Sequence, residues 1–208
     1  MTALRRATVF LTVMAACCNA AWAAEMAASG IFLVAAPRLQ DPNFRETVVL
    51  VTQPQRGGPF GVIINRPLEH KLGELFPRHE GLKASHDAIY MGGPVARRGL
   101  VFLVRAAQPP PQSAPVLRDV YLTGDIDWVD ARLQDGDLAA GLRVYVGHSG
   151  WGPGQLQNEI GRGDWYVLPA DADVIFNQDP ATIWPELSKR ATLRHTRANP
   201  AARPDQPL

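Results

Sequence analysis

Leu142-Arg143-Val144-Tyr145-Val146-Gly147-His148-Ser149-Gly150-Trp151-Gly152-Pro153-Gly154-Gln155-Leu156 is the stretch on which the reading of this chain turns. Leu142, Val144 and Val146 alternate with Arg143 and Tyr145, the period of two of a half-buried strand. Glycines at 147, 150, 152 and 154 then break the pattern. Pro153 fits the first position of a helix, where its missing N–H costs no hydrogen bond. Leu156 and Ile160, four apart, would face the core. The segment reads as a strand, a tight glycine turn with Trp151 as a core plug beneath it, and a helix.

The same punctuation runs through the rest of the chain. Ile31 to Ala35 and Thr47 to Val51 are short, continuous apolar runs rich in β-branched residues, the form of buried strands. Phe60 to Ile64, Ala88 to Met91 and Leu100 to Val104 are further strand candidates, the fourth stopped by Gly92-Gly93-Pro94. Gln108 to Pro115, with three consecutive prolines, reads as an extended surface loop. Val120 to Thr123 is a short strand, and Ile126, Val129 and Leu133 recur at helical spacing within Asp125 to Leu133. Trp165 to Leu168 is another strand. Asp179-Pro180 has the form of an N-cap followed by proline at the first helical position, and Pro185 should kink or restart that helix. Short strands and helices in mixed order, with no internal repeat and no linker-bounded second unit, indicate one α/β-type (α+β mixed) domain.

The 208 residues suit one domain; 46% are hydrophobic and 20% charged, ordinary for a globular protein with a core. A net charge of +1 gives no field that would select nucleic acid or anionic lipid. The first residues read differently. Arg5-Arg6, the apolar run Ala7 to Ala16 and Ala21-Trp22-Ala23 occur in the order of an export signal, which predicts a signal peptide over 1–23 and a mature chain from Ala24. The run is too short for a mature transmembrane helix. Cleavage would remove two of the 21 basic residues and none of the 20 acidic ones, leaving a net charge of −1. Both cysteines, Cys17 and Cys18, lie in the segment, so the mature chain would have no disulfide and its core would supply the stability. Lipid attachment at Cys17 and a true start at Met26 are the alternatives. The domain is expected over 24–191, and the polar, basic, proline-containing segment 192–208 is expected to be disordered.

The candidate chemistry is sparse. His148-Ser149 in its glycine frame resembles a G-x-S-x-G nucleophile elbow, but Trp151 stands where the second glycine belongs. No Gly-Lys-Ser/Thr ends the turn as a phosphate loop requires, and no βαβ unit supports a dinucleotide fingerprint. His70, His79, His86 and Asp87 lie in a polar segment without metal-ligand spacing, so no metal and no cofactor is expected. Arg66, after Asn65 at a strand end, would grip either an anion or an internal partner; the internal one is the ordinary use of arginine at a strand end.

Taken together, these motifs resemble the YqgE/AlgH family of bacterial proteins. The matching pieces are Gly30 to Pro37 with Leu39, Asp41-Pro42-Asn43-Phe44, Thr47 to Leu50, Gly61 to Leu68, Gly92-Gly93-Pro94-Val95 with Arg98-Gly99, and Gly150 to Leu156 with Glu159-Ile160 and Trp165. They span Gly30 to about Trp184. The resemblance implies a curved, barrel-like mixed β-sheet flanked by helices in a single domain. It implies little about mechanism, since the family has no settled activity, although some members are linked with regulation of exopolysaccharide genes. Most members look cytoplasmic and begin near Met26. The family usually has Glu-His where this chain has Gln53-Pro54, often His where it has Leu103, and Tyr-Ala where it has His148-Ser149. No catalytic role of a family histidine therefore carries over, and the changes together with the signal point to a divergent, exported branch.

The expectation is a non-catalytic binding or regulatory protein acting in the periplasm. Its ligand or partner surface would be formed by Asn65, Arg66, Gly92, Gly93, His148, Ser149, Gly150, Trp151, Gly152, Gly154 and Gln155. Its partner would be a protein or a small anionic ligand held by backbone N–H groups before the helix; nucleic acid is not expected, given the nearly neutral mature chain. The alternatives are a hydrolase built on Ser149 and His148, with an acid such as Asp125, and a cytoplasmic transcriptional regulator if translation starts at Met26.

Overall fold

A computed structural model describes residues 30–52, 58–138 and 141–198. The expected signal 1–23 with Cys17 and Cys18, Met26, the Gln53-Pro54 departure and the segment 199–208 lie outside the described residues.

Ten strands are present among the described residues: β1 (Ile31–Ala35), β2 (Val48–Thr52), β3 (Phe60–Ile63), β4 (Pro67–Lys71), β5 (Ala88–Met91), β6 (Val95–Arg105), β7 (Ala114–Leu117), β8 (Val120–Thr123), β9 (Leu142–Gly150) and β10 (Trp165–Pro169). Six helices accompany them among the described residues: α1 (Leu72–Leu75), α2 (Glu80–Ala84), α3 (Ile126–Gln134), α4 (Gln155–Gly161), α5 (Ala172–Phe176) and α6 (Pro180–Ala198). The strands form one sheet in the order β10-β1-β2-β3-β9-β6-β8-β7, with β4 on β5 and β5 on β9. Among the described strands only β5 and β9 pair in parallel. The sheet curls until the β7 end meets β1 and β2: Gly30 N donates to the Val116 carbonyl at 2.8 Å and the Thr52 hydroxyl to the Pro115 carbonyl at 3.2 Å. The result is the curved, barrel-like mixed sheet of a single α+β domain.

Three apolar clusters explain why β1 and β2 read as unbroken apolar runs rather than alternating ones. Inside the curl, Phe32, Val34, Leu50, Val62 and Tyr145 pack with Phe176, Ile183 and Leu187 of α5 and α6. Outside it, Leu33, Val49, Val51 and Ile63 pack with Trp151, Leu156 and Trp165. A third cluster joins Ile89, Phe102, Val104 and Val144 to Leu72, Leu82 and Val129 of α1 to α3. Strands covered on both faces cannot alternate. The same covering corrects the half-buried reading of β9, where Tyr145 is fully buried. Its hydroxyl has no hydrogen-bond partner among the described residues, and burial raises the phenol far above its ordinary pKa.

Helix starts follow capping chemistry. Asp125 accepts from Trp128 N at 3.0 Å, and Asp179 from Ala181 N at 3.0 Å with Pro180 next in line. Four expectations are corrected. The polar segment after Arg66 is not a plain loop but holds β4, α1 and α2, tied down by Asp130, which accepts from Leu82 N at 2.9 Å. The proline-rich loop gives way to β7 at Ala114. Pro185 does not restart its helix, because Ile183, Leu187 and Ala191 continue one buried stripe past it. The expected disorder from 192 fails as far as Ala198, since α6 runs on: once nucleated and packed, each added residue gains a hydrogen bond without a new nucleus.

Candidate functional site

The glycine stretch is organised by what β9 must pair with. Along Val144 to Val146 one edge of β9 meets β5; at Ser149 and Gly150 it meets β3 instead. Gly92-Gly93 fills the changeover. Gly92 N donates to the Val146 carbonyl at 2.8 Å, and its carbonyl accepts from Ile63 N at 2.9 Å and from the Ser149 hydroxyl at 3.3 Å. A Cβ on Gly92 would overlap the Gly147 carbonyl oxygen, and one on Gly93 the His148 carbonyl. Gly147 adopts φ +70°, which glycine alone accepts without strain, beside a bulge in which β6 takes five steps from Val95 to Leu100 while β9 takes two from His148 to Val146. These glycines serve close approach of backbone to backbone.

The strand therefore runs to Gly150, and the expected turn begins later than the sequence indicates. His148 and Ser149 are strand neighbours with opposed side chains. Ser149 is fully buried with its hydroxyl directed at Gly92. The His148 ring is half-buried and stacks on Phe60, centroids 4.7 Å apart and 22° between planes; burial lowers its pKa from the ordinary 6.5. No reagent reaches Ser149, so the nucleophile-elbow arrangement is absent.

Trp151 is the expected plug, 7% exposed. Its indole N–H donates to Glu159 Oε2 at 2.9 Å, and so does that of Trp165 at 2.9 Å, while Gln155 Nε2 donates to Glu159 Oε1 at 2.9 Å. One carboxylate on α4 thus pins the turn, the helix and β10. The helix begins at Gln155, not Pro153, after Gly154 at φ +73°. Gly152 N already donates to Gln155 Oε1 at 3.0 Å. That donor is therefore used within the turn, ahead of a helix of seven residues.

Asn65 and Arg66 turn to the Asp41 to Glu46 loop. Asn65 Oδ1 accepts from Val48 N at 2.8 Å and its Nδ2 donates to the Glu46 carbonyl at 3.0 Å. Arg66 donates to the Asn43 and Arg45 carbonyls at 2.6 and 2.9 Å, and desolvation lowers its pKa. Of the residues expected on one surface, Gly92, Gly93, Ser149 and Trp151 are buried, Asn65, Arg66 and His148 are half-buried, and Gly150, Gly152, Gly154 and Gln155 are exposed. Gly92, Gly93, His148 and Ser149 come together, whereas Gly152, Gln155 and Trp151 form a separate latch and Asn65-Arg66 a third group. Among the described residues no group of three or more His, Cys, Asp or Glu could hold a metal ion; His70 and His79 face Glu74 and Asp127 singly, at 3.6 and 3.9 Å.

The concave feature beside this junction is the mouth of the curled sheet. A cavity of about 270 Å³ lies between Thr52 and Phe60 on one wall and Val101, Ala114, Leu122 and Thr123 on the other, with Leu100, Gln112 and Gly124 completing it. None of these side chains is ionisable. The Thr52 hydroxyl is spent on Pro115, and Thr123 Oγ1 accepts from Asp125 N at 3.1 Å. Phe60 ties the cavity to His148. Sequence reasoning missed both the cavity and the role of Glu159: the cavity walls come from five strands far apart in the chain. For Glu159 the available signal was an acid four residues after Gln155 on α4.

A family model described as AlgH-like matches residues 32–196. A UPF0301 protein of Mycobacterium tuberculosis is 35% identical over 175 residues, covering 82% of this chain and 86% of that protein. One of Mycobacterium leprae is 34% identical over 176 residues, with the same coverage. The crystal structure of a Corynebacterium diphtheriae protein superposes with a TM-score of 0.65 at 25% identity, covering 78% of this chain and 86% of that one. The solution structure of the AlgH protein from Pseudomonas aeruginosa gives 0.63 at 25% identity, covering 86% and 95%.

Proposed function

For a chain that belongs to the AlgH-like family, we propose the function of a non-catalytic binding or regulatory protein that takes a small, uncharged, mostly apolar ligand into the mouth of its curled sheet. The observation that carries this reading is the cavity of about 270 Å³ between Phe60 and Leu122, apolar on most of its wall and without an ionisable side chain among the described residues. Ligand sites favour such concave, largely apolar places at the mouths of barrels, with a few polar groups to orient the ligand. The Gln112 amide and the Thr123 hydroxyl, which accepts from Asp125 N and keeps its proton to donate, are the polar groups here. Burial of Ser149, whose hydroxyl donates to the Gly92 carbonyl, argues against hydrolysis.

The test is titration with N-phenyl-1-naphthylamine, a neutral apolar dye whose fluorescence rises on burial. We expect saturable enhancement that is lost in Ala114→Trp, which fills the cavity from its wall, while the melting temperature stays near the parent's. Enhancement unchanged in Ala114→Trp would place the dye elsewhere and remove the proposal. We further propose that the protein acts outside the cytoplasm, on the strength of Arg5-Arg6, the apolar run and Ala21-Trp22-Ala23. Mass spectrometry of protein recovered from cells should find Ala24 first; Met1 or Met26 at the N-terminus would refute export, and a lipid on Cys17 would replace release by anchoring.

A further inference from the structure

The sheet ends on β10, which pairs with β1 and with no other strand among the described residues. Hydrogen bonds flanking that ladder set its parity: Ala36 N donates to the Asp164 carbonyl at 2.9 Å and Ala170 N to the Gly30 carbonyl at 3.1 Å. In an antiparallel ladder alternate residues face the same neighbour, so Tyr166 and Leu168 turn their backbone groups to β1. Trp165 and Val167 turn theirs to the open edge. Val167 is 45% exposed although apolar. A free edge of this kind is a template for a further strand. Pro169 ends the template because it has no N–H to offer.

A cavity of about 490 Å³ follows this edge, bordered by Arg38, Ile160 and Gly163 and, on α6, by Ala191 and Arg194. The charge along it is of one sign. Arg38 donates to the Arg162 carbonyl and, like Arg194, makes no ion pair with a carboxylate among the described residues. Asp164, the acid that immediately precedes β10 in sequence, is held by Arg162 at 2.7 Å. Along α6 the exposed surface continues with Lys189, Arg190 and Leu193, the last 54% exposed, and with one acid, Glu186, which accepts from Gln178 Nε2 at 2.9 Å. Exposed apolar side chains thus lie among arginines next to backbone groups that no strand pairs among the described residues.

We propose that the open edge of β10 takes an extended acidic segment of a partner protein as an additional strand. Val167 N–H and C=O supply the register, and Arg38 and Arg194 meet carboxylates on the two faces of the incoming strand. A second copy of this chain is disfavoured as occupant, because symmetric pairing through β10 would gather the arginines of both copies at one seam. This surface is distinct from the mouth of the curl, and neither proposal depends on the other.

The experiment is fluorescence anisotropy on the full chain with a labelled six-residue peptide of valines and paired glutamates (Val-Glu-Glu-Val-Glu-Glu), in which neighbouring carboxylates point to opposite faces of the strand, and its lysine–valine counterpart as control. We expect saturable binding of the acidic peptide only, weakened by salt. Val167→Pro removes one backbone donor at an edge that tolerates proline, and should lower affinity about tenfold. Arg194→Glu, on the exposed face of α6, should weaken binding at least as much and serves as the second variant should Val167→Pro not fold. Failure of the acidic peptide to bind, equal binding of the lysine peptide, or affinity unchanged in both variants overturns the proposal. So does a concentration-dependent dimer in sedimentation that Val167→Pro dissolves, which would make a second copy the occupant.

Discussion

Replacing Trp151 separates the two contributions of the glycine turn, packing and hydrogen bonding. The ring is 7% exposed in the outer cluster with Leu33, Val49, Ile63 and Trp165, and its N–H is one of three donors on the Glu159 carboxylate. Removing a buried tryptophan ring costs about 3–5 kcal/mol, because transfer and cavity terms add. For a domain of this size each kcal/mol moves the melting temperature by about 2–4 °C. Trp151→Ala should therefore melt roughly 6–20 °C below the parent. Trp151→Phe keeps most of the apolar contact and loses one charge-assisted bond. Glu159 would retain Trp165 and Gln155, so the loss should fall near the low end of the usual range, about 1.5 kcal/mol or roughly 3–6 °C. Glu159→Gln in both backgrounds would measure the coupling directly, as a smaller penalty in the Trp151→Phe chain than in the parent. The measurement is thermal unfolding followed by calorimetry and circular dichroism, with coincident transitions as the check on two-state behaviour. If Trp151→Ala melts within about 2 °C of the parent, the ring contributes no burial and the account of the turn is wrong. If Trp151→Phe is as damaging as Trp151→Ala, the hydrogen bond and not the packing dominates.

The remaining predictions concern other parts of the same junction. Tyr145→Phe removes a buried hydroxyl without a partner among the described residues and should be neutral or stabilising by about 1 kcal/mol; a clear loss of stability would show that the hydroxyl is bonded. Gly92→Ala places a Cβ on the Gly147 carbonyl and should cost about 1–3 kcal/mol or more, seen as a lower urea midpoint; a parent-like midpoint would deny the close approach. Ser149 should take no label from a fluorophosphonate probe, in parent or Ser149→Ala, since its hydroxyl is buried; labelling that vanishes in the variant would restore the hydrolase. The lowered pKa of His148 means that the unfolded chain binds the proton more readily. Stability from its burial is complete above the ordinary 6.5 and falls as pH drops below it. Between about pH 7.5 and about pH 5.5 the parent should lose more melting temperature than His148→Phe, and equal losses would remove His148 from the account.

The sequence by itself determined the local elements whose signals are local. The apolar runs at Ile31–Ala35, Ala88–Met91 and Val120–Thr123 are strands with the boundaries read from them, because β-branched runs bounded by turn residues leave little choice. Asp125 and Asp179 announced their helices for the same reason: a cap acts within three residues of itself. Ordered motifs from Gly30 to Trp165 also carried the family and, with it, the curled sheet. What tertiary structure decided is everything that depends on a neighbour far along the chain. Whether Gly92, Gly93 and Gly147 admit a ligand or another backbone could not be read from their being glycine; the answer lies in β9 exchanging β5 for β3 at that point. Ser149 and His148 look alike in sequence, yet one is sealed against Gly92 and the other stacks on Phe60, because a strand sends neighbours to opposite faces. The cavity at the mouth exists only because the curl brings Thr52 and Phe60 opposite Ala114 and Leu122, and the open edge of β10 only because β1 is its sole neighbour among the described strands. Local chemistry fixes where elements begin and end, whereas burial and free edges are properties of the packed sheet.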